Sequence, residues 1–139
     1  MSRSLDELHP EVRRMFDAFA ASCLAESLDI LVTCTWRSPA EQDRLYAQGR
    51  TTPGKIVTNA RAGQSSHNFT LNGKPASLAF DIVPLEGGKP IWAVSNPVWQ
   101  RLGQLGTAAG LEWAGNWKRF REFPHFQHPL SATIRKEAT

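Results

Sequence analysis

The sequence predicts an α+β fold, in which helices pack on a small, mainly antiparallel sheet. Apolar residues recur at helical spacing along residues 5–19 and again along 98–105. Two apolar runs, 29–36 and 77–85, have the composition of strands. The 139 residues, 41% of them hydrophobic, are enough for one domain over residues 1–139 with a core of its own.

Three helices are predicted, each from its own start signal. The first begins with a capping box made by Ser4 and Glu7 and runs to about residue 24. The second, over 38–49, begins with Ser-Pro, and the third, over 96–110, begins with Asn-Pro. Both end at a glycine, which is the usual stop signal.

The strands and loops follow from the remaining composition. Residues 77–85 are expected to form a strand that Pro84 ends, and short strands are expected near 111–117 and 123–128. The Gly-, Pro- and Thr-rich stretch 50–66 reads as a long loop with a short extended piece at 56–57, and such loops are usually functional. The polar tail, about 130–139, is expected to fray.

Composition narrows the function classes. The net charge is +3, but the basic residues are scattered and no basic stripe carries interleaved aromatics, so we expect no nucleic acid partner. Cys23 and Cys34 lie in apolar segments and are interpreted as buried free thiols. No CxxC pair is present, so a cysteine-based zinc site is not expected.

The N-terminal segment is polar and charged, unlike a signal peptide, and no apolar run approaches the length of a membrane span. We therefore expect a soluble product made in the cytoplasm, without stable membrane association. If it acts elsewhere, something else must release it.

The candidate chemistry lies on three separate segments. His67, Asp81 and His125 would supply two nitrogens and one carboxylate, which is a ligand set of catalytic zinc sites that leaves a position for water. A carboxylate outside the metal shell is then needed to take a proton from that water. Glu122 could serve if the chain bends at Pro124.

Each of these residues has a plainer reading when taken alone. The histidines could be solvated loop or surface-strand residues, and the aspartate could face water on an edge strand. His128 competes with His125, although strand alternation places the two on opposite faces. Arg37, at a strand end, could stabilise an oxyanion or simply form a salt bridge. Trp117 is the best candidate for a cleft wall.

Taken together, the motifs resemble a known family. The run "TWRSPAEQDRLYAQGRTTPGKIVTNARAGQSSHN", then "SLAFDIV" and "WKRFREFPHFQ", is similar to the M15 zinc peptidases, and within them to the VanY-like phage endolysins that are L-alanyl-D-glutamate peptidases. The resemblance spans about residues 35–127. The motifs R-S-x-x-x-Q, L-Y-x-x-G-R, S-x-H, A-x-D and E-x-x-H occur in the family's order.

The resemblance implies a Hedgehog/DD-peptidase-like α+β domain with one catalytic Zn²⁺. The matched residues would be the zinc ligands His67, Asp81 and His125, the general base Glu122, the transition-state arginine Arg37, and Ser65, which orients the site or the substrate. Gln127 stands where members of the wider family carry Glu, and no catalytic role is assigned to it.

One departure from the family pattern concerns the spacing of two ligands. His67 and Asp81 are 81 − 67 = 14 residues apart, twice the usual spacing, with an insertion at about residues 70–77. Its Asn72-Gly73 pair is a tight-turn signal, so we expect a hairpin that returns Asp81 to His67 and could add a wall to the cleft.

The expected function is therefore hydrolysis of peptidoglycan stem peptides by a monomeric zinc enzyme. The resemblance implies a bacteriophage endolysin, which reaches the cell wall during host lysis. Two alternatives stay open. The first is a D-alanyl-D-alanine carboxypeptidase with the same zinc site. The second is a non-catalytic zinc or wall-binding module, against which Glu122 argues because a structural site needs no free base.

Overall fold

The structure is a computed structural model that describes residues 1–138, and it confirms the predicted α+β class. Its α-helices are α1 (Pro10–Ala25), α2 (Pro39–Ala47), α3 (Val98–Ala108) and α4 (Ser131–Glu137). Its strands are β1 (Asp29–Cys34), β2 (Thr70–Leu71), β3 (Lys74–Pro75), β4 (Ala79–Glu86), β5 (Lys89–Pro90), β6 (Glu112–Trp113) and β7 (His125–Gln127). Among the described residues, no helix is both long and apolar enough to cross a membrane.

The main sheet is antiparallel, with strand order β1-β4-β7-β6 and β5 added beside β4. β4 is its centre, because β1 pairs along one side and β7 along the start of the other. β1 and β4 shift register between Val32 and Cys34, which is a bulge at Thr33. Bulges re-aim the side chains that follow them, and here Cys34 becomes the partner of Asp81.

The core lies between this sheet and the packed pair α1 and α3. Phe16 and Phe19 of α1 contact the fully buried Phe80 and Phe126 of the central strands, with ring centroids 4.9 Å (Phe16–Phe80) and 5.0 Å (Phe19–Phe126) apart. A Cβ on Gly106 would lie 2.4 Å from the Phe126 ring, so α3 approaches the sheet closely only because that position is glycine. Side chains alternate across a strand, so the residues next to these phenylalanines face away from the core.

The first helix was predicted to be continuous from Ser4 to about residue 24, but it is interrupted. The predicted capping box of Ser4 and Glu7 does not form: Ser4 accepts from the Asp6 amide and caps a single 3-10 turn, Leu5–Glu7. Helix α1 starts separately at Pro10 with His9 as its cap. Proline disfavours the helical conformation in the residue before it, and His9 is extended at φ −55° and ψ 141°. Leu8 instead forms a bridge with Ser77.

The strand β4 runs through Pro84 and does not end there, contrary to the prediction. The Pro84 carbonyl accepts from the Ile91 amide on the side away from β1. Both backbone polar groups of a strand residue point to the same side, so the missing N–H also faces away from β1. The pairing with β7 stops at Asp81, so no residue of β7 lies opposite Pro84 and needs its N–H. A proline is therefore tolerated at this position of the strand.

Residues 56–57 lie within the predicted loop and belong to no strand. One other prediction needs correction. The tail expected to fray contains α4 over most of its length, because Ser131 is buried and Ile134 packs against the core. Only Thr139, the last residue of that predicted tail, lies outside the described residues.

The predicted hairpin in the insertion is confirmed. β2 and β3 pair across Asn72 and Gly73, which have φ of 53° and 78°. Positive φ at both central residues defines the type I′ turn that Asn-Gly favours. The hairpin joins the N-terminal segment through the hydrogen bond from the Ser77 amide to the Glu7 carbonyl.

Candidate metal centre and active-site cleft

The sheet register brings the three predicted ligands together. Asp81 on β4 and His125 on β7 are direct cross-strand partners, and each is next to a core phenylalanine in its strand, Phe80 and Phe126. His67 lies in the short 3-10 turn Ser66–Asn68, whose cap is Ser65. The Ser65 hydroxyl accepts from the His67 amide at 3.2 Å and so fixes the backbone of that histidine.

His67 is 2% exposed, and only one of its ring nitrogens has a hydrogen-bond partner. Nδ1 lies 2.7 Å from the Thr35 carbonyl, which can only accept, so Nδ1 carries a proton. Nε2 is buried without a hydrogen bond, 3.3 Å from Oδ1 of Asp81. This nitrogen therefore lacks the partner that a buried polar atom normally has.

His125 presents its other ring nitrogen to the same carboxylate. Its Nδ1 lies 3.1 Å from Oδ1 of Asp81, and its Nε2 lies 2.8 Å from Oε1 of Gln127. The rings of His67 and His125 are 5.1 Å apart. One nitrogen from each histidine thus converges on one carboxylate oxygen.

This donor set fits a divalent cation. In the protein alone, burial opposes the charge on His67, but the Asp81 carboxylate outweighs it and raises the pKa of His67 to about 10. Burial works against the ionised form of Asp81 too, yet the neighbouring His67 and His125 rings hold the pKa of Asp81 far below its usual range. The carboxylate therefore attracts positive charge to this point, and a metal ion would take the place of the His67 Nε2 proton.

Glu122 and Arg37 lie at the edge of this centre. Oε2 of Glu122 is 3.8 Å from Nδ1 of His125, and its side chain is 46% exposed. Partial burial raises the pKa of Glu122, and Asp81 adds to the effect. Nη2 of Arg37 is 3.9 Å from Oδ2 of Asp81.

Gln42, the last residue of the R-S-x-x-x-Q motif, holds Arg37 in this position; the sequence alone assigned it no role. It is fully buried, and its Oε1 accepts from Nη1 of Arg37 at 2.9 Å. Its Nε2 donates to the Ala60 carbonyl at 2.8 Å, which fixes the end of the long loop. Its signal in the sequence is its place in the R-S-x-x-x-Q motif; that the amide is buried and so needs partners is visible only in the structure.

Cys34 lies closer to the centre than the sequence indicated. One ligand atom each from Cys34, His67 and Asp81 lie within 4.8 Å of one another, so a cysteine-containing metal set is geometrically available. However, Cys34 Sγ lies 3.7 Å from Nδ1 of His67, the nitrogen already bonded to Thr35. By contrast, Nδ1 of His125 and the unpartnered Nε2 of His67 both lie beside Oδ1 of Asp81. One metal ion at this point could bind all three residues.

His128, the competitor considered for His125, is directed elsewhere. It is buried, and its Nε2 lies 3.8 Å from Glu11 of α1. Its ring is 6.5 Å from that of His9. It belongs to the contact between α1 and the C-terminal segment.

Two cavities, of about 620 and 650 Å³, meet at His125 and Glu122, and His67 and Asp81 line only the second. Trp117 lines the first, its ring 5.6 Å from that of His125, and Arg37 and Asp81 line the second. The two cavities share Val57, Thr58, Ser65, Arg121, Glu122 and His125. They are therefore two arms of one cleft, walled by the 50–64 loop on one side and residues 117–124 on the other. The β2–β3 hairpin lines neither arm.

Comparisons with known proteins identify the family and the fold. The peptidase M15 family model described as D-alanyl-D-alanine carboxypeptidase matches residues 58–128. The peptidoglycan L-alanyl-D-glutamate endopeptidase CwlK of Bacillus subtilis (strain 168) is 37% identical over 127 residues, covering 87% of this chain and 73% of CwlK.

Two solved structures share the fold. The L-Ala D-Glu endopeptidase ChiX of Serratia marcescens has a TM-score of 0.66 at 21% identity, covering 95% of this chain and 90% of ChiX. The LD-carboxypeptidase LdcB, whose structure is described as revealing the basis of peptidoglycan recognition, has a TM-score of 0.67 at 14% identity, covering 94% of this chain and 64% of that chain. At such identities these structures establish the fold alone.

Proposed function

This chain belongs to the peptidase M15 family, and we propose that it is a zinc-dependent endopeptidase that cuts the L-alanyl-D-glutamate bond of peptidoglycan stem peptides. CwlK supports this choice of bond, because its name states that activity and it aligns with most of this chain. The observation that carries the proposal is that His125 and Glu122 line both arms of one cleft, and that the second arm also contains His67 and Asp81.

The shape of the cleft favours an endopeptidase over a carboxypeptidase. Cavities of about 300–1,000 Å³ accommodate drug-sized ligands, and here two cavities of about 620 and 650 Å³ adjoin each other at His125 and Glu122. A peptide can therefore extend on both sides of the cut bond. The description of the matching family model keeps D-alanyl-D-alanine carboxypeptidase as the second candidate.

His67, Asp81 and His125 would hold the metal. When bound, a zinc ion supplies a Lewis acid and a water of lowered pKa. Glu122, beside His125, takes the proton of the attacking water and passes it to the leaving amine. Arg37, held by Gln42, donates to the oxyanion that develops on the scissile carbonyl.

The remaining proposed residues position the substrate and the site. Ser65 lines both arms and caps the turn that carries His67. Trp117 gives one arm an aromatic wall, and its indole N–H donates to Glu112, which holds the ring in place. In this proposal the chain acts as a monomeric single domain, and the phage endolysin setting rests on the motif resemblance.

Digestion of purified peptidoglycan, followed by mass spectrometry of the fragments, tests the proposed bond. We expect fragments with a new N-terminal D-glutamate, lost on chelation and restored by added zinc. Release of terminal D-alanine instead would establish the carboxypeptidase. Absence of any cleavage by the zinc-loaded protein would refute both.

The ligand set is tested separately by zinc content. We expect His125→Ala to lose bound zinc and Cys34→Ser to retain it, because Cys34 lies at the His67 nitrogen that Thr35 already occupies. Metal analysis after dialysis measures both. Loss of zinc in Cys34→Ser together with retention in His125→Ala would assign the metal to the cysteine set.

A further inference from the structure

A row of polar side chains extends behind His125, away from Asp81. Nε2 of His125 meets Oε1 of Gln127 at 2.8 Å, and Nε2 of Gln127 donates to Oε2 of Glu112 at 3.1 Å. The indole N–H of Trp117 donates to the same Glu112 oxygen at 3.3 Å. Glu112 and Gln127 are cross-strand partners of β6 and β7, so the sheet register sets their spacing.

The chemistry of these groups allows one direction of hydrogen bonding. The Glu112 carboxylate only accepts, so the Gln127 amide must turn its NH₂ group toward it. The carbonyl oxygen of Gln127 then faces His125 and can only accept. Nε2 of His125 must therefore carry a proton, so in the neutral ring the nitrogen without a proton is Nδ1, the one that faces Asp81.

We propose that Gln127, oriented by Glu112, is a positioning residue that fixes the ring orientation and tautomer of His125 so that Nδ1 is available to the metal. This inference rests on the metal site of the proposed function. It assigns a role to a residue that neither donates to the metal nor takes part in the proton transfers. Partners of this kind orient ligand histidines and raise their basicity.

Without an acceptor at position 127, the alternative tautomer gains an advantage. The Nδ1–H form of His125 would donate to Oδ1 of Asp81, 3.1 Å away. That bond would occupy one ligand atom from each residue, and metal binding would have to break it. Loss of Gln127 should therefore weaken binding even though every ligand is still present.

The test compares Gln127→Met with the wild-type protein in a chelator competition that measures the zinc dissociation constant. We expect affinity about 10- to 100-fold weaker, as found for lost partners of ligand histidines. Long-range ¹H–¹⁵N spectra of the metal-free proteins should show the His125 proton on Nε2 in the wild type and a larger Nδ1–H population in the variant. Neither readout depends on peptidoglycan cleavage.

Two further variants separate positioning from a general loss of structure. Gln104→Met makes the same change on the exposed face of α3 and should leave both readouts unchanged. The reciprocal pair Gln127→Glu with Glu112→Gln keeps an acceptor for His125 and a donor for residue 127, although it gives up the bond from Trp117, so we expect it to bind zinc more tightly than Gln127→Met. Wild-type affinity and an unchanged tautomer in Gln127→Met, or a reciprocal pair that binds no better than Gln127→Met, would overturn the proposal.

Discussion

Glu122→Gln is expected to lower the rate of stem-peptide hydrolysis by about 100- to 10,000-fold, the usual contribution of a general base. The amide is nearly the same size as the carboxylate but cannot take the proton of the attacking water. Oε2 of Glu122 lies 3.8 Å from Nδ1 of His125, and Glu122 is not one of the three proposed zinc ligands. Zinc should therefore remain bound in the variant. Turnover of purified peptidoglycan and metal content, measured on the same sample, check both halves of the expectation.

The matched control is Glu86→Gln, which makes the same change at the exposed far end of β4 and should leave turnover unchanged. Undiminished turnover in Glu122→Gln would remove this residue from the mechanism. A variant that lost its zinc along with its activity would make Glu122 part of the metal site. Loss of turnover with zinc retained would also exclude the alternative that this protein is a non-catalytic binding module, because such a module needs no base.

The elements that the sequence predicted well are those whose signals are local. The predicted Ser-Pro start of α2 forms, because the hydrogen bonds that Ser38 and Glu41 exchange there connect residues only three apart. The Asn72-Gly73 turn also forms, because its backbone preference belongs to the two residues themselves. Each of these signals is complete within a few residues of sequence.

The elements that the sequence missed depend on distant contacts. The first helix is interrupted where Leu8 bridges to Ser77. The strand β4 passes through Pro84 because its pairing with β7 extends only as far as Asp81. Helix α4 forms in a polar tail because Ser131 and Ile134 pack against the rest of the molecule. No local composition encodes these partners.

The same distinction applies to the site. His67, Asp81 and His125 could be named in advance, since their donor types match a zinc site and their motifs resemble a family. Cys34 reaches the centre through a bulge in β1, and Gln127 meets Glu112 through strand register. Such cross-strand neighbours are set by pairing, which one sequence does not reveal.

The insertion changes what the spacing of the ligands means. His67 and Asp81 are fourteen positions apart in the sequence, yet Nε2 of the histidine and Oδ1 of the aspartate are only 3.3 Å apart. The hairpin leaves and returns on the side of the N-terminal segment, where the Ser77 amide donates to the Glu7 carbonyl. It therefore lengthens the chain between two ligands without entering the cleft, contrary to the wall that the sequence suggested.

Asp81→Ala is expected to abolish stable zinc binding, because one oxygen of Asp81 faces the free nitrogens of both histidines. Its removal deletes a ligand and the negative charge that attracts the cation. The loss in affinity should exceed the roughly 100-fold upper range for partners that act through a ligand. Chelator competition on the folded variant measures it, with circular dichroism confirming the fold.

Asp81→Asn separates the charge from the shape of the side chain. The amide fills the same space but carries no charge, so it should bind zinc far more weakly than the wild type, although it leaves no cavity. Asp17→Ala, an exposed aspartate on α1, is the control for a lost carboxylate and should bind zinc normally. Full zinc occupancy in Asp81→Ala would place the carboxylate ligand elsewhere, and the fourteen-residue spacing would then have no bearing on the metal.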